Sequence, residues 1–547
     1  MSSERAPLQQ GEMLLTMTDV RIDGFADERW QPIIKGVHLT LRRGEVLGLI
    51  GESGAGKSTL GLAAMGFARP GCRISGGEIV FDGIDLRRAS ERTKRRLWGS
   101  RMAYVAQSAA AAFNPAHRLI DQTVEAAVRH GLRDRAEAEA DAVALYRAMD
   151  LPDPESIGYR YPHQVSGGQL QRAMTAMAMA ARPDLIVFDE PTTALDVTTQ
   201  VNVLGAMRKA VQEFDTAAIY ITHDLAVVAQ MADRIKVLRY GEEVEEAPTA
   251  EMLAAPKHPY TKSLWAVRSL EKPGETNEDH VLEVNQVTAG YGPVDVLHDV
   301  SIALPRGKTV ALVGESGSGK STVARVITGL LPPRRGELRF DGAALPPELK
   351  GRTTEQKRRI QMIYQMADTA MNPRQTVREI IGRPLTFYHG LRGRAADERV
   401  AALLQDIELD PSFADRLPEE LSGGQKQRIC IARALAAEPD IVICDEVTSA
   451  LDQIVQEGIL KLLMRLQKER GLSYIFITHD LATVEAIADE VVVMLSGRVV
   501  EQGLKEEIFA PPHPEYTELL LSSVPRMEAG WLARTLAERS GAEARER

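Results

Sequence analysis

Two segments of the chain place glycines, a lysine and hydroxyl residues at a spacing that suits phosphate chemistry. They are Gly51-Glu52-Ser53-Gly54-Ala55-Gly56-Lys57-Ser58-Thr59 and Gly314-Glu315-Ser316-Gly317-Ser318-Gly319-Lys320-Ser321-Thr322. Each fits G-x-x-x-x-G-K-[ST] and follows an apolar run, 46–50 or 310–313, that predicts a strand. Glycines let backbone N–H groups surround phosphate oxygens, and the helix that follows points its positive end at them. Each segment therefore predicts a phosphate-binding loop.

The lysine and the first hydroxyl of each loop have separate expected roles. Lys57 and Lys320 are placed to reach the β- and γ-phosphates of a nucleotide, and Ser58 and Ser321 to bind Mg²⁺. A glycine-rich turn that binds nothing is the alternative for one such loop. Two full copies, each after a predicted strand, disfavour that alternative.

Further motifs follow each loop in the same order. In the first half they are Gln107, Val165-Ser166-Gly167-Gly168-Gln169, Asp189-Glu190, Ala194-Leu195-Asp196 and Thr222-His223-Asp224. In the second half they are Gln365, Leu421-Ser422-Gly423-Gly424-Gln425, Asp445-Glu446, Ala450-Leu451-Asp452 and Thr478-His479-Asp480. The two series have nearly the same internal spacing, so the chain is a tandem duplication of a whole module.

Each pair of adjacent carboxylates closes an apolar run near a phosphate loop. Hydrolysis of a nucleoside triphosphate transfers a phosphoryl group to water and needs positioning and charge neutralisation above all. Asp189 and Asp445 are expected to hold Mg²⁺, directly or through water, because hard cations prefer carboxylate oxygen. Glu190 and Glu446 are expected to activate the attacking water as general bases. Solvated surface acids are the ordinary alternative.

The domain organisation follows from the repeat. We predict a first module over 12–270, a polar linker over 271–280, a second module over 281–526 and a charged tail over 527–547 that frays. Apolar runs alternate with helical stretches in both halves, which predicts a mainly parallel α/β sheet in each.

Composition restricts the class of protein further. The 547 residues are 44% hydrophobic and 26% charged, with a net charge of −10, which argues against broad nucleic-acid binding. No apolar run reaches about 18 residues and the first ten residues are polar, so we expect neither a transmembrane helix nor a signal peptide. Cys72, Cys430 and Cys444 lack metal-ligand spacing.

The ordered motifs resemble the ATP-binding cassette (ABC) family of ATPases, with two nucleotide-binding domains in one chain. The resemblance implies ATP and Mg²⁺ as cofactors and two P-loop modules, each with a RecA-like core, a helical subdomain and an antiparallel β subdomain. It implies that His223 and His479 contact the γ-phosphate. It also implies that Gln107 and Gln365 touch Mg²⁺ or the attacking water and sense the nucleotide. Neither site lacks a catalytic residue, so both are expected to hydrolyse ATP.

The Ser-Gly-Gly-Gln segments precede predicted helices, and a helix that starts with small residues is an anion site. In the ABC family this segment closes on the ATP of the other module. The resemblance implies one composite site of Lys57, Asp189 and Glu190 with Ser422 and Gly424, and another of Lys320, Asp445 and Glu446 with Ser166 and Gly168. ATP would then pair the modules and hydrolysis would release them, as a two-state switch.

Adenine is usually stacked by an upstream aromatic residue in this family. Tyr291 fits that role in the second module. Phe25 is the best candidate in the first module, with Trp30 competing and core packing as the alternative for both.

Two further segments narrow the branch of the family. Asn114-Pro115 and Asn372-Pro373 follow the glutamines, and Pro256-Lys257-His258-Pro259-Tyr260-Thr261 and Pro512-His513-Pro514-Glu515-Tyr516-Thr517 lie near the module ends. These resemble the dipeptide, oligopeptide and nickel importer branch, although Glu515 is an insertion. The resemblance implies two permease subunits, an extracytoplasmic solute-binding protein and a peripheral place on the cytoplasmic face of the bacterial inner membrane. No cysteine follows Cys444, so no iron–sulfur cluster is expected.

The residues disfavour two rival classes of ABC protein. Tandem ABC proteins that act on ribosomes carry a long basic linker, whereas this linker is short and acidic. DNA-repair ABC ATPases carry large zinc-bearing insertions, and this chain has no cysteine pairs. An exporter is a third alternative. The transported solute stays open among peptide, nickel, opine and sugar derivatives, with peptide as the default by resemblance.

Overall fold

The computed structural model describes residues 11–26, 28–192, 195–266, 272–449 and 451–546. It divides the chain into two compact units. The first unit holds the described residues up to Trp265 together with those from Pro525 onward, and the second holds those from Ala266 to Val524. Several predicted features lie outside the described residues: the polar start 1–10, residues 267–271 at the predicted join, and Ala194 and Ala450 of the Ala-Leu-Asp motifs.

Strands form two sheets in each unit. In the first unit they are β1 Met13–Ala26, β2 Arg29–Arg42, β3 Val46–Ile50, β4 Cys72–Phe81, β5 Ile84–Asp85, β6 Met102–Val105, β7 Leu185–Asp189, β8 Ala217–Ile221, β9 Arg234–Arg239 and β10 Glu242–Pro248. In the second they are β11 His280–Tyr291, β12 Val294–Pro305, β13 Thr309–Val313, β14 Arg335–Phe340, β15 Ala343–Leu345, β16 Ile360–Ile363, β17 Ile441–Asp445, β18 Ser473–Ile477, β19 Glu490–Leu495 and β20 Arg498–Leu504.

Helices surround these sheets. Up to residue 266 they are α1 Lys57–Ala64, α2 Glu91–Leu97, α3 Ala109–Ala112, α4 Leu119–Arg129, α5 Arg135–Ala148, α6 Pro154–Ile157, α7 Gly167–Met179, α8 Val197–Glu213, α9 Leu225–Met231, α10 Thr249–Ala254 and α11 Pro259–Ala266. After that residue they are α12 Lys320–Ile327, α13 Thr354–Arg359, α14 Ala367–Ala370, α15 Val377–His389, α16 Gly393–Asp406, α17 Gly423–Leu435, α18 Gln453–Arg470, α19 Leu481–Ile487, α20 Lys505–Phe509, α21 Glu515–Ser522 and α22 Trp531–Glu546.

The six-stranded sheet has the same order in both units. It runs β6-β7-β8-β3-β9-β10 in the first unit and β16-β17-β18-β13-β19-β20 in the second. All neighbours are parallel except the last pair of each sheet, which is antiparallel. Strands β3, β7 and β8 are buried along their whole length, as expected for parallel strands that helices cover on both faces.

A second, antiparallel sheet packs beside this core. Its order is β2-β1-β4-β5 in the first unit and β12-β11-β14-β15 in the second. Apolar residues of β1 such as Leu15 and Met17 join the same hydrophobic cluster as Leu47 and Leu49 of the central strand β3. The two sheets of each unit therefore share one core.

A helical segment completes each module between the central strands. In the first unit α4, α5 and α7 contact one another. Asp134 and Glu137 form a reciprocal capping box that fixes the start of α5. The buried hydroxyls of Thr123 and Tyr146 lie 2.7 Å apart and join α4 to α5. The mixed core sheet, the antiparallel sheet and the helical segment confirm the predicted α/β class with two tandem modules.

The ends of the modules differ from the predicted domains. Residues from Lys272 onward are packed on the second unit, since the Lys272 ammonium lies 2.6 Å from the Asp489 carboxylate. The tail does not fray over its described side chains: Trp531 is 5% exposed and Leu532 1%, and both belong to the first unit. The Gln230 amide donates to the Arg526 and Glu528 carbonyls, which anchors the start of this tail. The tail packs on the first unit because its charged sequence contains apolar residues such as Trp531 and Leu532, which become buried there.

Among the described residues, no helix combines the length and the apolarity needed to cross a bilayer.

Candidate active site

Loops at one edge of the central sheet bring the predicted residues together in each unit. Because β3, β6, β7 and β8 are parallel, their carboxyl ends meet at the same edge, which is where α/β sheets bind ligands. The phosphate loop follows β3, Gln107 follows β6, Glu190 follows β7 and His223 follows β8. In the second unit the corresponding strands are β13, β16, β17 and β18.

The phosphate loops have the close backbone approach that their glycines predict. Gly51 has a φ of 146°, and a Cβ atom there would lie 2.1 Å from the Leu238 carbonyl oxygen. Gly314 has a φ of 141°, with the same distance to the Met494 oxygen. Only glycine fits such a position. The helices α1 and α12 begin at the loop lysines, so their N-terminal ends face the predicted phosphate position.

Each loop lysine is held by carbonyl groups of its own loop. The Lys57 ammonium donates to the Gly51 oxygen at 2.7 Å and to the Glu52 oxygen at 2.9 Å. Lys320 makes the equivalent bonds to Gly314 at 2.8 Å and Glu315 at 2.7 Å. Both lysine side chains are largely buried, so the positive charge lies inside the loop, where phosphate oxygens are expected.

A hydroxyl and a carboxylate lie together beside each lysine. The Ser58 hydroxyl donates to Asp189 at 2.7 Å, and the Ser321 hydroxyl donates to Asp445 at 3.1 Å. This pair of hard oxygen donors fits Mg²⁺, which commonly takes one or two protein oxygens together with nucleotide phosphates. Burial raises the pKa of Asp445 more than the Ser321 hydrogen bond lowers it.

The second carboxylate of each pair is held between an amide and an imidazole. In the first unit the Gln107 amide donates to Glu190 at 3.0 Å, and His223 Nδ1 lies 3.3 Å from the other Glu190 oxygen. The Glu190 N–H donates to the Ile221 carbonyl at 2.9 Å, which fixes the backbone across β8. Glu190 has a φ of 48°, an uncommon conformation that clusters at functional sites.

The second unit repeats this arrangement. The Gln365 amide donates to Glu446 at 2.6 Å, and His479 Nδ1 lies 3.6 Å from the same carboxylate. Burial acts against both charges, but the His479 partner outweighs it and leaves the pKa of Glu446 lowered. Burial also lowers the pKa of His479, yet the hydrogen bond and charge of Glu446 raise it overall. Both pKa shifts therefore favour an ion pair between the Glu446 carboxylate and a protonated His479.

The Ser-Gly-Gly-Gln segments form capping boxes. The Ser166 hydroxyl accepts from the Gln169 N–H at 3.3 Å while the Gln169 side chain accepts from the Ser166 N–H at 3.0 Å. Ser422 and Gln425 do the same at the start of α17. The serine and glutamine thus satisfy each other's backbone groups.

The two glycines of each signature lie in different surroundings. A Cβ on Gly168 would lie 2.3 Å from Thr199 Cγ2, and one on Gly424 2.4 Å from Val455 Cγ1. The second glycine is therefore required for close helix packing. Around Gly167 no heavy atom of the described residues comes within 4 Å of such a Cβ. The first glycine is not required by packing, which leaves room for a ligand at the helix start.

The aromatic candidates are exposed rather than packed in the core. Phe25 and Trp30 contact each other edge to face with ring centres 5.3 Å apart, and Arg73 lies over Trp30 at 4.1 Å. Tyr291 accepts a hydrogen bond from Arg325 of α12 at 2.8 Å, so it lies next to the helix that follows the second phosphate loop. Exposure argues against the core-packing alternative, and adenine stacking stays a prediction.

Sequence reasoning missed Tyr104, which contacts the candidate metal ligand Asp189. The Tyr104 hydroxyl donates to Asp189 at 2.5 Å, on the carboxylate oxygen that Ser58 leaves free. Burial, and then the Asp189 hydrogen bond, raise the pKa of Tyr104, so the phenol stays protonated. Met362 occupies the matching register in the second unit. The signal available in the sequence was a tyrosine three residues before Gln107, where the second half has an apolar residue.

The fold and the two sites define a P-loop ATPase built twice in one chain. The family described as "ABC transporter" matches residues 34–193 and 297–449, and that described as "Oligopeptide/dipeptide transporter, C-terminal region" matches residues 244–289 and 500–547. The chain belongs to the ABC transporter family. It is an ATP-hydrolysing subunit of the oligopeptide and dipeptide importer branch, as the motifs predicted.

Relatives match over nearly the full chain. The glutathione import ATP-binding protein GsiA of Pectobacterium atrosepticum is 38% identical over 538 residues, covering 90% of this chain and 86% of its own. The protein of the same name from Escherichia coli K12 is 36% identical over 564 residues, covering 94% and 90%. A solved structure described as cbiO1 from Clostridium perfringens is 31% identical over 42% of this chain and 91% of its own, with a TM-score of 0.40. The family assignment rests on the sequence matches.

Proposed function

We propose that this chain drives the uptake of small peptides such as glutathione through partner permeases, by ATP-driven closure of its two units. The observation that carries this proposal is the repeated Glu190 and Glu446 arrangement, each carboxylate held by a glutamine and a histidine next to a Ser–Asp pair. The names of the relatives, which import glutathione, support the substrate class.

Each side chain has a role within its own unit. Lys57 and Lys320 neutralise the β- and γ-phosphates. Glu190 and Glu446 orient and deprotonate the attacking water, while His223 and His479 hold these carboxylates and contact the γ-phosphate. The positions of these side chains at the sheet edge support the proposed roles.

Magnesium fits the same edge. Ser58 and Asp189 would hold it in the first unit, and Ser321 and Asp445 in the second, with Gln107 and Gln365 nearby. When bound, the ion neutralises charge that develops on the phosphates. Each site thus has two carboxylates with different roles: the aspartate binds the metal ion, and the glutamate accepts the proton.

Residues outside these edges would complete the sites. The N–H groups of Gly167 and Gly168 in the first unit, and of Gly423 and Gly424 in the second, begin helices and suit the γ-phosphate of the other unit's ATP. Closure of the two units on ATP is then the power stroke, and hydrolysis reverses it.

The remaining partners follow from the transporter class. Two membrane-spanning permeases carry the solute, and an extracytoplasmic binding protein delivers it. The chain lies on the cytoplasmic face of the bacterial inner membrane as a peripheral subunit of that complex.

The first test is purification of tagged chain from native membranes in mild detergent, followed by mass spectrometry. Two multi-span permeases are the expected companions, and the solute-binding protein encoded beside them can then be assayed for glutathione and other peptides. Recovery of ribosomal proteins or DNA without permeases would overturn the importer proposal. Binding of nickel, opines or sugars in place of peptides would overturn only the substrate class.

A further inference from the structure

The C-terminal extension of each module touches the phosphate loop of its own unit. The Tyr260 hydroxyl accepts a hydrogen bond from the Glu52 N–H at 3.1 Å. The Tyr516 hydroxyl accepts one from the Glu315 N–H at 2.9 Å. Both tyrosines lie in the segments matched by the oligopeptide/dipeptide transporter C-terminal region. The same contact between the same two segments therefore occurs twice in the chain.

One rigid peptide links each tyrosine to the loop lysine. The Glu52 N–H and the Gly51 carbonyl belong to a single peptide group, which is planar. Its N–H donates to Tyr260, and its carbonyl accepts from the Lys57 ammonium at 2.7 Å. Holding one end of the group therefore orients the other.

The tyrosine of the first unit is itself held firmly. The Glu245 carboxylate on β10 accepts from the backbone N–H groups of Lys257 at 2.7 Å and His258 at 2.9 Å, which fixes the turn before α11. The Arg239 guanidinium lies 4.5 Å from the centre of the Tyr260 ring, and Tyr260 is only 4% exposed. The hydroxyl is thus presented to the loop from a fixed framework.

The second unit keeps the contact despite a change in sequence. Glu515 is inserted between Pro514 and Tyr516, whereas Tyr260 directly follows Pro259. Tyr516 nevertheless reaches the Glu315 N–H, and the Gly314 carbonyl of the same peptide accepts from Lys320 at 2.8 Å. The geometry is preserved where the local sequence is not.

We propose that Tyr260 and Tyr516 are positioning residues that orient the first peptide of each phosphate loop and, through it, the loop lysine. The affinity of each unit for ATP then depends on its C-terminal extension. This inference rests on the proposed nucleotide sites.

The test compares Tyr260→Phe, Tyr516→Phe and the double variant with wild type and with Tyr159→Phe, a control at a tyrosine that is 51% exposed in the first unit. Phenylalanine removes the acceptor and keeps the ring. The Kd for a fluorescent ATP analogue with Mg²⁺, and the KM for ATP, should rise about 3- to 10-fold, the effect of one net hydrogen bond. The value of kcat at saturating ATP should change less than about twofold.

Amide hydrogen exchange tests the same contact in wild type as well as in the variants. In wild type the amide hydrogens of Glu52 and Glu315 should exchange at least about tenfold more slowly than unprotected amides, and in the phenylalanine variants that protection should fall. Unprotected wild-type amides, or variants whose Kd and exchange match Tyr159→Phe, would overturn the inference. Wild-type chain that neither binds nor hydrolyses ATP would instead refute the proposed function.

Discussion

Nδ1 of His223 lies 3.3 Å from a carboxylate oxygen of Glu190, and the amide of Gln107 binds the other oxygen. Each oxygen of the proposed base thus has its own partner from a different strand end. A carboxylate fixed on both sides keeps one orientation toward the sheet edge, so little reorganisation is needed when water is activated. Glu446, Gln365 and His479 share this relationship in the second unit.

Removing the proposed general base should separate ATP binding from ATP hydrolysis. Glu190→Gln with Glu446→Gln keeps the hydrogen-bonding shape but loses the proton acceptor, so ATP hydrolysis should fall about 10²- to 10⁴-fold. The Kd for a fluorescent ATP analogue should change little. Glu125→Gln, on the exposed side of α4, is the matched control. Retained hydrolysis in the double variant would falsify the assignment of the base.

The histidine pairs predict a pH-dependent stability. Burial lowers the pKa of His223, but the hydrogen bond and charge of Glu190 raise it above 6.5 overall. A group whose pKa is higher in the folded chain stabilises it fully below the unfolded pKa, and that stabilisation is lost as pH rises through the folded pKa. The loss of Tm caused by His223→Asn should therefore be largest below about pH 6.5 and shrink at higher pH.

Thermal melts from about pH 3 to pH 9 measure this effect, with His117→Asn at an exposed site as the control. In the second unit the lowered pKa of Glu446 sets the acid limit: the stabilisation from its carboxylate is present above 4.5 and lost as pH falls through the lower folded value. A Tm loss that grows with pH above 7 would contradict the charged pair.

The two signature glycines should respond differently to alanine. At Gly167 an added Cβ has open space among the described residues, so Gly167→Ala should fold with wild-type stability or slightly above. Its methyl group would lie where we propose that the nucleotide approaches, and ATP hydrolysis should fall at least about tenfold. Gly168→Ala brings a Cβ within 2.3 Å of Thr199 and should lower the Tm.

Steady-state ATPase assays and thermal melts on both variants separate the two roles. Gly423→Ala and Gly424→Ala repeat the comparison in the second unit. Full activity of Gly167→Ala would show that the helix start is not a nucleotide contact.

Tyr104 makes the first unit differ from the second at the proposed Mg²⁺ site. It supplies one of two side-chain hydroxyl bonds to Asp189, and partners of a metal ligand orient it. Tyr104→Phe should raise the Mg²⁺ concentration for half-maximal ATP-analogue binding roughly tenfold in a Lys320→Ala background, which isolates the first unit. Tyr159→Phe in that background is the control, and an unchanged Mg²⁺ titration counts against the role of Tyr104.

The tail of the chain contributes to the stability of the first unit. Leu532 is 1% exposed, and truncation of a buried leucine costs about 2–5 kcal/mol. Leu532→Ala should therefore shift the urea unfolding of the first unit to lower concentration. Leu519→Ala, at a partly exposed position of α21, should not, and equal shifts for the two variants would argue against tail docking.

Local patterns were sufficient to predict much of the site. A strand, a glycine loop and a lysine at a helix start obey rules that act over about ten residues, so the positions of Lys57, Ser58 and Glu190 followed from the sequence. The duplication made the second unit predictable from the first.

Contacts between distant segments were not predictable in the same way. Tyr104 contacts Asp189 because of the order of the strands, and Tyr260 contacts Glu52 because of the packing of the helix that carries it. The sequence separation within each pair follows no periodic pattern that would predict the contact. The charge of residues after 526 predicted a frayed tail, but two apolar residues at the start of α22 decided its packing.

The packing of the C-terminal tail on the first unit has a consequence for folding during protein synthesis. Chains emerge from the ribosome amino end first, and domains generally fold as they appear. Trp531 and Leu532, which are buried in the first unit, emerge from the ribosome after every described residue of the second unit. The first unit therefore begins to fold before the second unit but is completed after it. Until the tail has emerged, the Gln230 amide lacks the Arg526 and Glu528 carbonyls to which it donates in the folded chain.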